Sequence, residues 1–313
     1  MDYQKIAVIY IKQTEDNSFI QSLQQSDFGS VAVIAAGDPL REAFRQALSQ
    51  NYEYVLTLNE KDHFQLADVI KIADALLKDD SALYVGTRQC TKGKNSLAGA
   101  VFGFLAGISA ADVETSLFGM SAALCAMMVN MKSTDKAYAM NILLEARANS
   151  ITVTEVPTSA CYDEPPKLSI LARSFKLYQV FIKFSIAAMI AYVVDIGTFY
   201  LFEQVFHAFA SEQKILFSTV LSRILCSIAT YLLNKGAVFK SEAKTGGAVV
   251  RFIIMSVVQL IASWLLVWGI GSLLGGSDVT NTLLKIIIDL VIFMVSFPIQ
   301  RDWVFKKTDK LLK

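Results

Sequence analysis

The chain has 313 residues, 54% of them hydrophobic and only 18% charged, with 29 Lys and Arg against 28 Asp and Glu for a net charge of +1. A mean hydropathy of +0.44 is too high for an ordinary soluble enzyme; the net charge says nothing about nucleic acid, which is not expected as a partner, and what matters is where the lysines and arginines fall. Cys90, Cys125, Cys161 and Cys226 are scattered without a Cys-x-x-Cys pair and only His63 and His207 accompany them, which argues against a disulfide framework or a metal site built on these residues.

The apolar residues are unevenly spread. Before Pro165 charge occurs at globular density; beyond Phe181 the chain breaks into long apolar runs. Three segments are expected: a cytoplasmic domain over 1–165, an interfacial linker over 166–180 and a membrane domain over 181–313. The start, Met1 to Lys5, lacks a basic stretch followed by an apolar one, so no cleaved signal peptide is expected.

The first part alternates strand and helix. Strands are predicted at 5–11, 31–34, 54–58 and 82–86, with helices at 18–25, 39–50 and 65–77, and a last strand at 151–157. This order implies an α/β domain with a mostly parallel sheet covered by helices on both faces. Leu97 to Ile108 is apolar but too short to span a bilayer, so a buried or interfacial helix is predicted. His63 reads as a loop residue with no assigned role. After Pro165-Pro166, the stretch Leu168 to Tyr178 has helical apolar spacing with Arg173 and Lys176 interposed, the pattern of a helix lying on an anionic leaflet.

Four apolar segments follow, 181–206, 215–233, 249–274 and 282–298, each near the length of about 20 residues that a membrane crossing requires. The connections after the first and third are nearly uncharged. Lys167, Arg173, Lys176 and Lys183 precede the first segment, Lys235, Lys240, Lys244 and Arg251 join the second to the third, and Arg301, Lys306, Lys307, Lys310 and Lys313 follow the fourth. By the positive-inside rule both termini are cytoplasmic.

The four segments read as two copies of one hairpin. Lys183-Phe184 and Arg251-Phe252 open the two units; Asn234-Lys235-Gly236-Ala237-Val238-Phe239-Lys240 and Gln300-Arg301-Asp302-Trp303-Val304-Phe305-Lys306 close them. A two-helix unit returns the chain to the same side, so the expected all-α bundle consists of parallel repeats about an axis along the membrane normal. Asp195, Arg223, Lys285 and Asp289 lie inside the apolar runs; each costs on the order of 3 kcal/mol on insertion scales and needs a partner. Arg223 stands eleven residues before Asn234 and Asp289 eleven before Gln300, so each charge shares a helix face with its closing amide. Arg223 and Asp289 are then equivalent and are expected to meet across the axis, with Lys285 competing for Asp289. Such a cluster either fixes helix register or forms, from Asp195, Arg223, Asn234, Lys285, Asp289 and Gln300, a polar path for an anionic headgroup.

Residues 181–306, through Phe184 to Asp195, Leu221-Ser222-Arg223, Arg251-Phe252 and the two closing boxes, resemble the GtrA-like family of small four-helix membrane proteins. The resemblance implies a multi-pass protein of the bacterial plasma membrane that acts as a flippase or carrier for polyprenyl-phosphate-linked sugars in cell-surface polysaccharide or teichoic-acid glycosylation. It implies membrane lipid and a polyprenyl-phosphate sugar as partners, with an active glycosyltransferase or a second copy of the chain beside them. Lys183, Lys235, Arg251 and Arg301 would hold the lipid phosphate.

The first domain, through Tyr54 to Asp68, Tyr84-Val85-Gly86-Thr87-Arg88, Asp112-Val113-Glu114-Thr115 and Ile151 to Pro157, is similar to the GT-A nucleotide-sugar domain of polyprenyl-phosphate glycosyltransferases of the dolichol-phosphate-mannose-synthase type. In that family an Asp-x-Asp pair after the third strand holds Mg²⁺ or Mn²⁺ on the diphosphate. Here Asn59-Glu60-Lys61 stands at that place, Ala35-Ala36-Gly37-Asp38 replaces the acidic turn after the second strand, and Ser116 replaces the usual Gly. The expectation is a silent docking or regulatory domain with no metal and no other cofactor. The alternative is an active glycosyltransferase in which Glu60 and Asp62 rescue the metal site and Asp112 serves as the acid, although a one-residue shift at a strand end turns side chains to the opposite face.

Overall fold

The computed structural model describes residues 2–35, 40–90, 97–108, 112–129, 138–162, 171, 175–241, 245–273 and 278–306. The chain divides into two units, Met1–Leu177 and Tyr178–Lys313.

In the first unit, strands β1 (Ile6–Lys12), β2 (Ser30–Ala35), β3 (Tyr54–Asn59), β4 (Leu83–Cys90), β5 (Phe118–Ser121) and β6 (Val153–Tyr162) form one sheet of order β2-β1-β3-β5-β4-β6. Helices α1 (Ser18–Gln25), α2 (Leu40–Ser49), α3 (Leu66–Lys78), α4 (Leu97–Ala106), α5 (Ala122–Val129) and α6 (Tyr138–Ala148) connect them. β1 pairs in parallel with β2 and β3, and β4 with β6. From Ile6 to Tyr10 every residue of β1 is buried, as expected of a parallel strand covered on both faces. Ile6, Val8, Leu56 and Leu58 pack with Val69, Ile72 and Leu76 of α3 in one apolar cluster.

The expected strands and helices up to residue 90 are present, each within a few residues of its expected ends. The turn at 36–39 and most of the 166–174 linker lie outside the described residues. Helix α4 is the buried kind, with Ala98, Phe102 and Leu105 inside. Three elements were not anticipated: β5, which runs antiparallel between β3 and β4, and the helices α5 and α6. β5 has four residues, of which Phe118, Gly119 and Met120 are buried, so it carries no alternation from which a strand can be read.

The second unit consists of α7 (Phe175–Val205), α8 (Ser211–Leu233), α9 (Thr245–Leu273) and α10 (Asp278–Ile299). All four are long and apolar enough to cross a membrane, over Leu177–Val205, Gln213–Val238, Gly246–Leu273 and Leu283–Val304. Phe175 to Val180, expected in the linker, form the opening turns of α7. Met189, Val193, Leu232 and Val258 are exposed on the outside of these helices, where a soluble protein would carry charge and a bilayer supplies lipid.

The repeat is written into the packing. α8 and α10 both end in a π-helical turn, at Asn234–Val238 and Gln300–Val304, the opening five residues of the two closing boxes. Phe239 N donates to Asn234 O at 2.9 Å and Phe305 N to Gln300 O at 2.8 Å. Phe184 contacts Phe239 as Phe252 contacts Phe305, at 6.1 and 6.4 Å between ring centroids. Phe297 meets Phe184 as Tyr231 meets Phe252, at 5.3 and 5.6 Å. Lys235 lies over Tyr231 at 5.9 Å and Arg301 over Phe297 at 5.3 Å. Two contacts join a position to its own counterpart: Phe239 stacks on Phe305 at 5.4 Å, and Asn234 Nδ2 donates to Gln300 Oε1 at 2.8 Å. Self-pairing of equivalent residues places them at the pseudo-twofold axis.

Candidate functional site

In the first unit the residues that could carry chemistry gather at the carboxyl ends of β3 and β4, where ligands of open α/β sheets bind. Asn59 ends β3, and Glu60–Asp62 form one turn of 3₁₀ helix closed by His63 at φ 53°. The β4–β6 register shifts between Thr87 and Gln89, and such an irregularity re-aims a side chain. The residue it spans is Arg88. Its Nε and Nη2 donate to Asp112 Oδ2 and Oδ1 at 2.7 and 3.0 Å, and its Nη1 to Asp62 Oδ1 at 2.6 Å. Asp62 Oδ2 accepts from Ser116 N at 2.9 Å and from Ser116 Oγ at 2.5 Å.

Asp62 and Asp112 are thus brought together, 2% and 0% exposed, with Arg88 between them. Burial works against the guanidinium charge, but the hydrogen bonds and charge of Asp112 and the charge of Asp62 more than offset it, so Arg88 is held above its ordinary pKa. Glu60 goes elsewhere. Its carboxylate accepts from Thr14 Oγ1 and from the backbone N–H groups of Gln13 and Thr14, and the Thr14 hydroxyl bond, with that from Gln13, holds it below the usual carboxylate range.

This donor set does not fit the divalent cation that the glycosyltransferase resemblance would bring. Such an ion needs carboxylate oxygens converging on one point with lone pairs to spare. Glu60 and Asp62 are committed to different partners, and the cation between Asp62 and Asp112 is already Arg88. Among the described residues no group of three His, Cys, Asp or Glu is placed to hold a metal. Ser116 has a visible purpose: its hydroxyl donates to Asp62 and accepts from Asn59 N at 2.8 Å.

In the second unit the intramembrane charges pair within hairpins. Arg223 Nη1 lies 3.2 Å from Asp195 Oδ2. Asp289 accepts from Ser263 Oγ at 2.6 Å and from Lys285 Nζ at 2.8 Å, while Lys285 also donates to Ser263 Oγ at 3.1 Å. The expected meeting of Arg223 with Asp289 is corrected: each is engaged by a nearer group on its own hairpin. The repeat accounts for this. Asp195 and Ser263 stand twelve residues after Lys183 and Arg251, so Asp195–Arg223 and Ser263–Asp289 are one contact made twice.

Asn234, Gln300, Asp289 and Lys285 line a cavity of about 410 Å³ with Thr230, Ser256, Gln259, Ser263 and Ser296. A second concavity of about 590 Å³ shares Leu260, Ser263 and Lys285 with it and continues along Trp264, Trp268 and Ser272. The two make one groove, open on its lipid side, where Leu260 is 72% exposed. Asp195 and Arg223 are not among its lining residues. Of the four basic residues expected to hold a phosphate, Lys183 is exposed on α7, Lys235 lies in the first π turn, Arg251 Nη1 donates to Trp303 O at 3.1 Å, and Arg301 is bound to Asp302 at 2.6 Å. Sequence reasoning missed Ser256, Gln259 and Ser263. Their spacing of three and four residues within an apolar run is a polar helix stripe and was readable as one.

Residues 183–305 match the family model described as GtrA/DPMS, transmembrane domain. No curated protein matches the chain. The four apolar helices together with this match make the chain a multi-pass membrane protein, and support a relation to the handling of polyprenyl-phosphate sugars.

Proposed function

We propose that the chain translocates or presents polyprenyl-phosphate-linked sugars for the glycosylation of cell-surface polysaccharide or teichoic acid. Its first domain serves as a non-catalytic docking or regulatory module of GT-A descent, both termini being cytoplasmic. The observation that carries this reading is the groove through Asn234, Gln300, Ser263, Asp289 and Lys285 inside a domain of the GtrA/DPMS type.

A phosphate headgroup crossing hydrocarbon loses its hydration, at a cost of several kcal/mol or more. Amide, hydroxyl and ammonium groups along the groove replace part of that shell, and the open side leaves the polyprenyl tail in lipid. Lys285 faces the phosphate as a point charge whose present counter-ion, Asp289, is one helical turn away and can be exchanged for it. Lys183, Lys235, Arg251 and Arg301, on the helix ends that the positive-inside rule puts in the cytoplasm, hold the headgroup on entry. The non-catalytic reading of the first domain rests on Arg88, which occupies Asp62 and Asp112.

Two assays test this with the purified chain in liposomes. Undecaprenyl-phosphate-glucose, placed in one leaflet, is expected to become accessible in the other, with the rate lowered about tenfold or more in a Lys285→Met, Asp289→Asn variant, the loss of about 1.4 kcal/mol of headgroup stabilisation. Transfer equal to that of protein-free liposomes overturns the translocation reading. Incubation with UDP-glucose, Mn²⁺ and undecaprenyl phosphate is expected to form no lipid-linked sugar. Formation that is abolished by Glu60→Ala, Asp62→Ala establishes instead the active glycosyltransferase.

A further inference from the structure

Trp264 and Trp268 stand one turn apart on α9. Their rings are stacked, 6.5 Å between centroids and 17° between planes, and the residues are 64% and 66% exposed. Counted from Arg251, they lie about 20 and 26 Å along the helix, at the end of the membrane unit remote from the closing boxes. They share a concavity of about 590 Å³ with Ser263, Gly271, Ser272 and Lys285, a volume within the ~300–1,000 Å³ of small-molecule sites.

A tryptophan at a membrane interface is ordinary, since its amphipathic ring suits the headgroup region. That accounts for Trp268 alone better than for this group. Trp264 lies a full turn deeper, the two rings are stacked nearly parallel, and a cation and two hydroxyls line the same concavity. Nor does the repeat demand them: the positions equivalent to Trp264, Trp268 and Lys285 in the first hairpin are Ile196, Tyr200 and Thr219.

We propose that this concavity is a glycosyl-phosphate site. The apolar C–H face of a pyranose ring lies on the indoles, and Lys285 donates to the adjoining phosphate. Two of the three Lys285 N–H protons go to Asp289 and Ser263, and among the described residues the third is left for a phosphate oxygen. Ser272 donates its proton to Gly269 O at 2.8 Å, so its oxygen is presented as an acceptor for a sugar hydroxyl. Gly271 lines the concavity without a side chain. The inference rests on the groove reading and adds which end of the groove recognises the sugar and by what contacts.

The test uses the full chain in nanodiscs, with Trp303→Phe so that emission comes from Trp264 and Trp268 alone. Dodecyl phosphate and its glucose, galactose and N-acetylglucosamine esters are titrated, with affinity read by calorimetry and ring contact by fluorescence. At least one ester is expected to bind about tenfold more tightly than dodecyl phosphate and to quench the indoles. Trp264→Leu, Trp268→Leu is expected to abolish that preference and leave dodecyl phosphate affinity unchanged, whereas Lys285→Met weakens both ligands. A preference that survives in the double tryptophan variant overturns the site. If no ester outbinds dodecyl phosphate while transfer in liposomes remains dependent on Lys285, the site falls and the groove stands. If the preference depends on the tryptophans but no transfer occurs, the site stands and the path falls.

Discussion

At the scale of single residues, Arg88 holds the buried polar cluster of the first domain together. Two buried carboxylates facing one another would repel. A guanidinium between them resolves this with a fork that binds Asp112 through two nitrogens and Asp62 through a third. Removing one partner of a buried ionic group leaves the others uncompensated, typically at about 3–5 kcal/mol. Arg88→Met is therefore expected to lower the opening free energy of the β3–β5 region by about that amount, measured by hydrogen exchange of its peptides in the full chain. Arg88→Lys should recover only part of the loss, because an ammonium lacks the planar fork. Exchange in Arg88→Met no faster than in the parent chain would show that the cluster contributes nothing to holding these strands. The glycine two residues earlier helps to place the fork: a Cβ on Gly86 would stand 2.6 Å from Leu117, so only glycine allows β4 to lie this close to the segment entering β5.

At the scale of elements, the two π turns are the most informative feature of the membrane unit. A π turn inserts one residue into a helical repeat and rotates the residues after it about the helix axis, and such turns concentrate at functional sites. Here both close a hairpin and bring Asn234 and Gln300 into contact at the axis, 1% and 4% exposed. The Oδ1 atom of Asn234 is buried without a hydrogen-bond partner among the described residues. Asn234→Ala removes the donor to Gln300 Oε1, and Gln300→Ala removes the acceptor of Asn234 Nδ2; each is expected to destabilise the bundle by about 1–3 kcal/mol. Because the two act through one bond, the double variant should cost less than the sum by at least about 0.5 kcal/mol. Unfolding in bicelles measures all four corners of the cycle, and additive losses would mean that the contact is not a joint of the repeat.

At the scale of the whole molecule, the even number of membrane helices brings the closing boxes of both hairpins to one side and the α7–α8 connection to the other. In a background with its cysteines replaced, Lys240→Cys and Lys306→Cys are expected to react with an impermeant maleimide only from the cytoplasmic face, and Phe209→Cys only from outside. Labelling of Phe209→Cys from the cytoplasm would reverse the proposed orientation and, with it, the direction in which the groove is entered. The two hairpins also differ in a way that bears on function. The first keeps an ion pair, Asp195–Arg223, at the place where the second has Ser263 and Asp289 joined by Lys285. One framework used twice therefore carries different polar groups in its two halves.

Much of this was legible in the residues alone, because it depends on local patterns. Uninterrupted apolar length gave the four membrane helices, matched boxes gave the repeat, and buried apolar runs gave β1, β3 and β4. What the pattern left open was pairing. Whether Arg223 met Asp289 or Asp195 depends on how a helix is rotated against its neighbours, which spacing along one helix does not fix. β5 was hidden because a four-residue strand buried on both faces has no period. Arg88 stood out in the sequence only as the end of a familiar stretch. Its place between Asp62 and Asp112 required an irregularity in β4 and a loop from a distant part of the chain, long-range contacts that only the folded molecule supplies.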